Sequence, residues 1–366
     1  MDQFKEIKQQ NPNTILFFRM GDFYELFHED AEVAAPVLGL ALTSRDKNAE
    51  KPIPMAGFPW HALEENLRIM LKSGFKVTVA EQEQELREGA KLLERVVTRI
   101  YTPGSLYEES LLNTNERSVL GSIILTNKSV AMAIIDSSTG ESWASTWDGK
   151  ERFSSLQDEL LRWDPAEIIV SPKDSEDSRL CTIIADLPDC VISHHNVSKK
   201  RMLSRLESIL NVADLGHLDL DSSPLAIEAA GFAADYLSQV HFREEIPIRE
   251  LQIIEETGHL VIDQTTLRNL EITSTLSGEY DGSLISSMNF CRTAMGRRLL
   301  KTWILRPLSQ RESIELRQNA VKSLKSSSRK LDSIRDSLNG LRDIERLATQ
   351  LSYNRSNARD LLATAL

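Results

Sequence analysis

The chain has 366 residues, 41% of them hydrophobic and 27% charged. These proportions are ordinary for globular protein and exclude disorder as its main character, and the length predicts two or three domains. No run approaches the roughly 20 apolar residues that span a bilayer, and the polar start MDQFKEIKQQNPN lacks the apolar core of a secretory signal. Cys181, Cys190 and Cys291 are too few and too scattered for a disulfide framework or a four-ligand zinc site, so a reduced, cytoplasmic setting is expected. The net charge of −11 argues against a nucleic-acid partner until its distribution is read. Ile285 to the end carries 16 basic and 7 acidic residues, a net of +9, against −20 for the residues before it.

Residues 14–113 read as mixed α/β. TILFFR (14–19) is a short apolar strand that Gly21-Asp22 breaks, and Tyr24 to Leu38 places Leu26, Phe27, Ala31, Ala34 and Leu38 near helical spacing. ALTSRD and PIPMAGF read as extended, the second held out of helix by Pro52 and Pro54. HALEENLRIMLKSG is a helix stopped at Gly74, and KVTVAEQ and RVVTRIY are strands by alternation and β-branching. The polar run LNTNERS (112–118) is a linker.

A second α/β unit is expected over 117–242. SVLGSIILT, SVAMAIIDSSTG and ESWASTW are consecutive antiparallel strands, and FSSLQDELLRW and AEIIV are a helix and a strand split by Asp164-Pro165. In 225–240, Ala226, Ala230, Ala233 and Leu237 share a face of small residues that suits close packing. From about 247 the pattern turns long and helical: MGRRLLKTWILRPL pairs Leu299 with Trp303 and Leu300 with Ile304, while 311–338 and 341–366 carry further helical patterns. The last pattern stops at Leu366 without a cap, which points to a fragment.

The segment Phe17-Phe18-Arg19-Met20-Gly21-Asp22-Phe23-Tyr24-Glu25 gathers aromatic residues around a Gly-Asp turn. Aromatics there serve a core equally well. If one is exposed, it can enter a DNA base step as an apolar wedge, at an unstacking cost that falls where the pair is already mismatched. Glu25 repels phosphate. It fits such a site as a hydrogen-bonding group at a base edge that also disfavours fully paired duplex.

FFRMGDFYELF, LTSRDK, PIPMAGFPWHA, VAEQ and VTRIYTPGS, in this order and spacing, resemble the N-terminal mismatch-recognition domain of the MutS family of DNA mismatch-repair proteins. DQTTLRNLEIT (263–273) and MGRRLLKTWILRPL (295–308) resemble the start of that family's core domain. The resemblance implies three parts: a mixed-sheet α/β recognition domain (1–113), an RNase H-like α/β connector (117–242), and the truncated beginning of a mostly helical core (247–366). It implies that Phe23 stacks at the mispair and Glu25 hydrogen-bonds the mispaired base. Met20, Arg45, Pro54, Met55 and His61 would line or support the minor-groove surface. The implied partners are mismatched double-stranded DNA, a second copy in a homodimer of the complete protein, and MutL. ATP and magnesium are implied only for the family's C-terminal ATPase domain, with no cofactor and no enzymatic activity in this chain. The nearest approach to a phosphate loop, Gly296 to Thr302, has Leu300 where a glycine is needed and reads as helix interior.

Three other constellations compete. Asp136 ends the strand SVAMAIID where RNase H-like folds hold a metal-binding carboxylate, so a divalent-metal nuclease using Asp136 and Glu141 is the alternative function. An Asp bonding the following Ser-Ser-Thr-Gly turn is the simpler reading. His194-His195 with Cys190 has loose spacing and no fourth ligand, which favours a loop. The sequons at Asn127, Asn196 and Asn354 carry no meaning in a cytoplasmic setting. Residues 1–115 hold 13 basic and 18 acidic side chains, so DNA contact there needs a locally basic surface.

Overall fold

The computed structural model describes residues 2–45, 52–83, 93–108, 110–112, 117–187, 189–212, 223–242, 248–254, 258–353 and 362, with Arg45 and Gln264 at the backbone only. Helix α1 (Asp2–Gln10) comes first; its polar composition conceals Phe4 and Ile7, which share a buried face. Then follow β1 (Ile15–Met20), β2 (Phe23–Phe27), α2 (Glu29–Leu38), β3 (Thr43–Arg45), β4 (Ile53–Pro59), α3 (Leu63–Lys72), β5 (Val77–Gln82) and β6 (Arg95–Tyr101). Their sheet has the order β3-β4-β2-β1-β5-β6. β1 and β5 run parallel and the other neighbours antiparallel, a mixed sheet. Alternation then divides the side chains: Phe17, Tyr24, Leu26, Phe58, Val77 and Val79 pack under α2 and α3, while Leu16, Phe18, Phe27 and Ala80 meet Phe4 and Ile7 of α1.

One expectation fails here. Tyr24 to Leu38 is not one helix: Phe23–Phe27 is a strand, and the helix begins only at Glu29. β1 and β2 form a hairpin in which Met20 pairs with Phe23, leaving Gly21-Asp22 as a two-residue loop. Gly21 sits at φ +62° and Asp22 has no positive φ, the pattern of a type II′ turn with glycine first. Sheet pairing outweighs the helical spacing of Leu26 and Phe27, because β2 is hydrogen-bonded on both sides, to β1 and to β4.

The second unit holds β7 (Val119–Leu125), β8 (Ser129–Asp136), β9 (Glu141–Asp148), α4 (Arg152–Trp163), β10 (Glu167–Val170), α5 (Ser178–Ala185), β11 (Val191–His194), α6 (Lys199–Leu210) and α7 (Pro224–Val240). β7, β8 and β9 form the expected antiparallel meander, and β10 and β11 add in parallel beside β7. α4 and α5 cover one face of this sheet, α7 backed by α6 the other. The small residues of α7 permit the approach: a Cβ on Gly231 would stand 2.7 Å from the Met202 carbonyl oxygen of α6. The stretch after 247 is not helical at once. β12 (Glu250–Ile253) pairs in parallel with β9 and extends the second sheet.

Helices α8 (Gln264–Asn269), α9 (Leu284–Met288), α10 (Ala294–Leu305), α11 (Arg311–Lys325), α12 (Ser328–Leu338) and α13 (Ile344–Ser352) complete the described chain. The expected helical stretch 311–338 is broken at Ser326 and Ser327. Polar and aromatic contacts join the three parts. The buried Glu167 carboxylate accepts from Gly104 N at 3.2 Å, from the Tyr236 hydroxyl at 2.6 Å and from Ser193, and pairs with Lys76 at 3.2 Å. Tyr107 stacks on Tyr353 with centroids 3.9 Å apart. None of the described helices is long and apolar enough to cross a membrane.

Candidate nucleic-acid interface

The β1–β2 hairpin presents one large apolar side chain to solvent. Phe23, the first residue after the turn, is 48% exposed, whereas Phe17, Phe18, Tyr24 and Phe27 are buried. Burying or exposing each aromatic is dictated by register. Tyr24 pairs with Phe58 and faces the helices; Phe23 pairs with Met20 and Pro59 at the tip, beyond the cover of α1. Glu25 lies two residues on, so it shares Phe23's face, half buried opposite Gly57. A Cβ on Gly57 would come 3.0 Å from the Tyr24 carbonyl oxygen, so the absent side chain leaves the sheet surface beside Glu25 low.

Several contacts fix the hairpin. Gly21 N donates to Gln82 Oε1 at 3.3 Å, Trp60 N donates to Asp22 O at 2.9 Å, and Arg19 Nε donates back to Gly21 O. The Arg19 guanidinium lies 5.3 Å from the ring centroids of both Tyr24 and Trp60. Tyr24 donates its hydroxyl to Glu81. Burial, and then the Glu81 carboxylate, push the Tyr24 hydroxyl far above its ordinary pKa, so it remains a donor. A hollow of about 780 Å³ adjoins this stack, lined in part by Arg19, Asp22, Trp60 and His61.

The remaining expected positions divide between the two faces. Met20 and Met55 are half buried on the Phe23 face, where both pack against the cluster of Phe18 and Phe27. Arg45 pairs with Ile53, a register position on that same face. Pro54 alternates to the opposite face, and its carbonyl oxygen accepts from His28 N at 3.0 Å. His61 is exposed in the short turn Trp60–Ala62 that follows β4. The structure adds Arg95, which the sequence reading passed over. It pairs with Gln82, lies 5.7 Å over the Phe18 ring and donates from Nε to Arg19 O at 3.3 Å. Alternation along RVVTRIY, with Val97 packed among the Phe18 cluster, was the signal that put Arg95 on this face.

The rival constellations are occupied by structural work. Asp136 is fully buried, and its Oδ1 accepts from Ser138 N at 2.9 Å and Ser138 Oγ at 2.6 Å, the turn contact expected of it. Glu141 pairs with Arg117 at 3.1 Å. His195 is buried with Nε2 2.9 Å from Asp235 Oδ2, while His194 is exposed. Desolvation lowers the His195 pKa against the pull of Asp235. Among the described residues no group of three potential ligands gathers around a metal position. Gly296 to Thr302 lies inside α10, whose first turn is capped by Thr293 Oγ1 accepting from Gly296 N at 3.1 Å.

Family models agree with this arrangement over nearly the whole chain. MutS domain I matches residues 1–110, MutS domain II residues 118–247, and MutS domain III residues 265–366. The protein named DNA mismatch repair protein MutS in Halothermothrix orenii is 36% identical over 366 residues, covering 99% of this chain and 40% of that protein. Its namesake in Methanococcoides burtonii is 34% identical over 369 residues, with 99% and 41% covered. The Clostridium novyi protein of the same name is 35% identical over 364 residues, with 99% and 39% covered. The chain thus spans about two fifths of the length of these relatives. Three consecutive domain matches, together with relatives aligned along 99% of its length, place the chain in the MutS family.

Proposed function

We propose that this chain is the mismatch-sensing part of a DNA mismatch-repair protein and binds mismatched double-stranded DNA through the exposed face of its first sheet. The single observation that carries the reading is Phe23, half exposed at a hairpin tip while its aromatic neighbours are buried. In this reading Phe23 enters the minor groove beside the mispair and Glu25 hydrogen-bonds the displaced base. Arg45, Arg95 and His61 meet the backbone or groove, and Met20 and Met55 support the wedge. Pro54 acts from below, through the strand that carries Met55. Phosphate contacts are blind to sequence. Discrimination therefore comes from the lower cost of kinking and unstacking a mispaired step, a few kcal/mol per step in sound duplex.

The parts then divide as a recognition domain over 1–113, a connector over 117–242 and core helices over 247–366. The order β9-β8-β7-β10-β11, three antiparallel strands followed by two parallel ones, supports an RNase H-like connector. Its strand-end Asp136 bonds a turn, which favours a binding role over the divalent-metal nuclease. This chain carries out no catalysis of its own. ATP hydrolysis with magnesium, homodimer formation and engagement of MutL are assigned to the complete protein, acting in the cytoplasm. The test is Phe23→Ala in the complete MutS polypeptide, assayed by competition between mismatched and fully paired duplex. Mismatch preference should fall about tenfold or more with folding intact; unchanged preference refutes the wedge.

A further inference from the structure

We propose that the cleft between α4 and α10 is a binding site for a phosphate-type oxyanion. The cleft has a volume of about 140 Å³ and its lining includes Arg117, Arg162, Trp163, Arg298, Lys301 and Arg306, with Asp164 the one carboxylate on it. The basic residues come from two separate parts of the chain: Arg117 precedes β7 and Arg162 ends α4, whereas Arg298 and Lys301 belong to α10 and Arg306 caps it.

The surrounding acids are shared unevenly among these cations. Arg162 and Arg306 share a single carboxylate, Glu159. Arg117 pairs with Glu141 at 3.1 Å, and Arg298 with Asp343 and Glu345 at 2.5 and 2.6 Å. Lys301 lines the cleft and has no carboxylate ion-pair partner among the described residues. Donors are in surplus: Nε of Arg117, Arg162 and Arg298 and the indole Nε1 of Trp163 are buried without a hydrogen-bond partner among the described residues. Arg162 and Arg298 keep only 8% and 2% of their side chains exposed, so solvent hardly reaches those guanidinium groups. Buried donors of this kind are costly to leave unmet.

The aromatic wall sharpens the chemistry. The Trp143 and Trp163 rings lie 4.5 Å apart; Arg117 stands over both, at 4.9 and 5.6 Å, and Arg306 lies 5.2 Å over Trp163. Burial lowers the Arg306 pKa against the pull of Glu159, with smaller repulsions from Arg162 and Arg117 adding to it. At about 30 Å³ per water the space equals a few water molecules. That suits a small tetrahedral oxyanion. Guanidinium, ammonium and indole donors on the lining match its acceptor oxygens, while the Thr302 hydroxyl is already engaged with the Arg298 carbonyl oxygen at 3.1 Å. Because α4 and α10 belong to different parts of the molecule, the bound anion bridges them.

The test uses the 366-residue chain and follows tryptophan fluorescence and thermal unfolding during titration with inorganic phosphate, against sodium chloride at equal ionic strength. A parallel arm uses glycerol phosphate to distinguish a free ion from a phosphate ester. The expected result is saturable quenching and a raised Tm with either phosphate compound and not with chloride. Lys301→Ala should weaken binding about tenfold, and Lys301→Arg should retain it. Far-UV circular dichroism checks that each variant folds. Equal effects of phosphate and chloride, or an unchanged affinity in Lys301→Ala, overturn the proposal. Displacement of bound phosphate by a short DNA duplex overturns it in favour of a nucleic-acid backbone contact.

Discussion

Phe23 and Glu25 occupy alternate positions of one strand, which puts both on the same face of the sheet. A half-exposed phenylalanine at a tip and a carboxylate beside it make poor sense as core or as a general DNA surface. They make sense together if the ring seeks a weakened base step and the carboxylate penalises a sound one. Glu25→Gln removes the charge but keeps hydrogen-bonding capacity. Affinity for fully paired duplex should rise about threefold or more while affinity for mismatched duplex changes less, narrowing their ratio. Fluorescence anisotropy with the two duplexes checks this, and an unchanged ratio contradicts the role given to the carboxylate. Much of this candidate site was proposed at the residue scale, because the motifs that resemble the MutS family contain both positions. What motif reading did not separate was face. Pro54 and Met55 are neighbours in a strand and must point apart, whereas Arg95 joins the Phe23 face from a strand that enters the sheet some 70 residues later in the sequence.

The hairpin is the element that converts a buried aromatic run into an exposed tip. Its sequence carried two conflicting signals: a Gly-Asp pair suited to a tight turn, and apolar spacing from Leu26 to Leu38 suited to a helix. Periodicity alone favoured the helix. Only pairing with β4, from residues about 30 positions away, settles β2 as a strand. Helix α1 was hidden for another reason, since Phe4 and Ile7 are two apolar residues in a polar segment and form one buried stripe only against the sheet. β12 was hidden by its shortness and by the acidic segment before it. At the turn, Gly21 has open space where a Cβ would stand, so only its backbone conformation resists substitution. Gly21→Ala should cost about 1 kcal/mol in denaturant unfolding through the left-handed φ. It should also reduce mismatch preference by displacing Phe23. Unaltered stability and preference would show that the turn tolerates another geometry.

At the scale of the whole molecule, charge pairs tie together elements that are distant in sequence. Arg298 on α10 reaches across to Asp343 and Glu345 at the start of α13. Burial alone would raise the Asp343 pKa, but hydrogen bonds and charge from Arg298, with Arg346 behind, outweigh it and hold the carboxyl below the usual range. A lowered carboxyl pKa contributes stability that is present above about pH 4 and lost as the pH falls through the folded-state value. Thermal unfolding should therefore shift to lower temperature between pH 5 and roughly pH 3. Asp343→Asn should be less stable at neutral pH yet lose less over that interval. An identical acid loss in the variant would place the titrating group elsewhere.

The wedge itself is tested most directly with 2-aminopurine placed beside a mispair and bound by the complete MutS polypeptide carrying these residues. Its fluorescence reports unstacking of the step that Phe23 is proposed to enter. The account predicts a clear rise on binding that is lost in Phe23→Ala and absent from fully paired duplex. An equal rise in the alanine variant would contradict it.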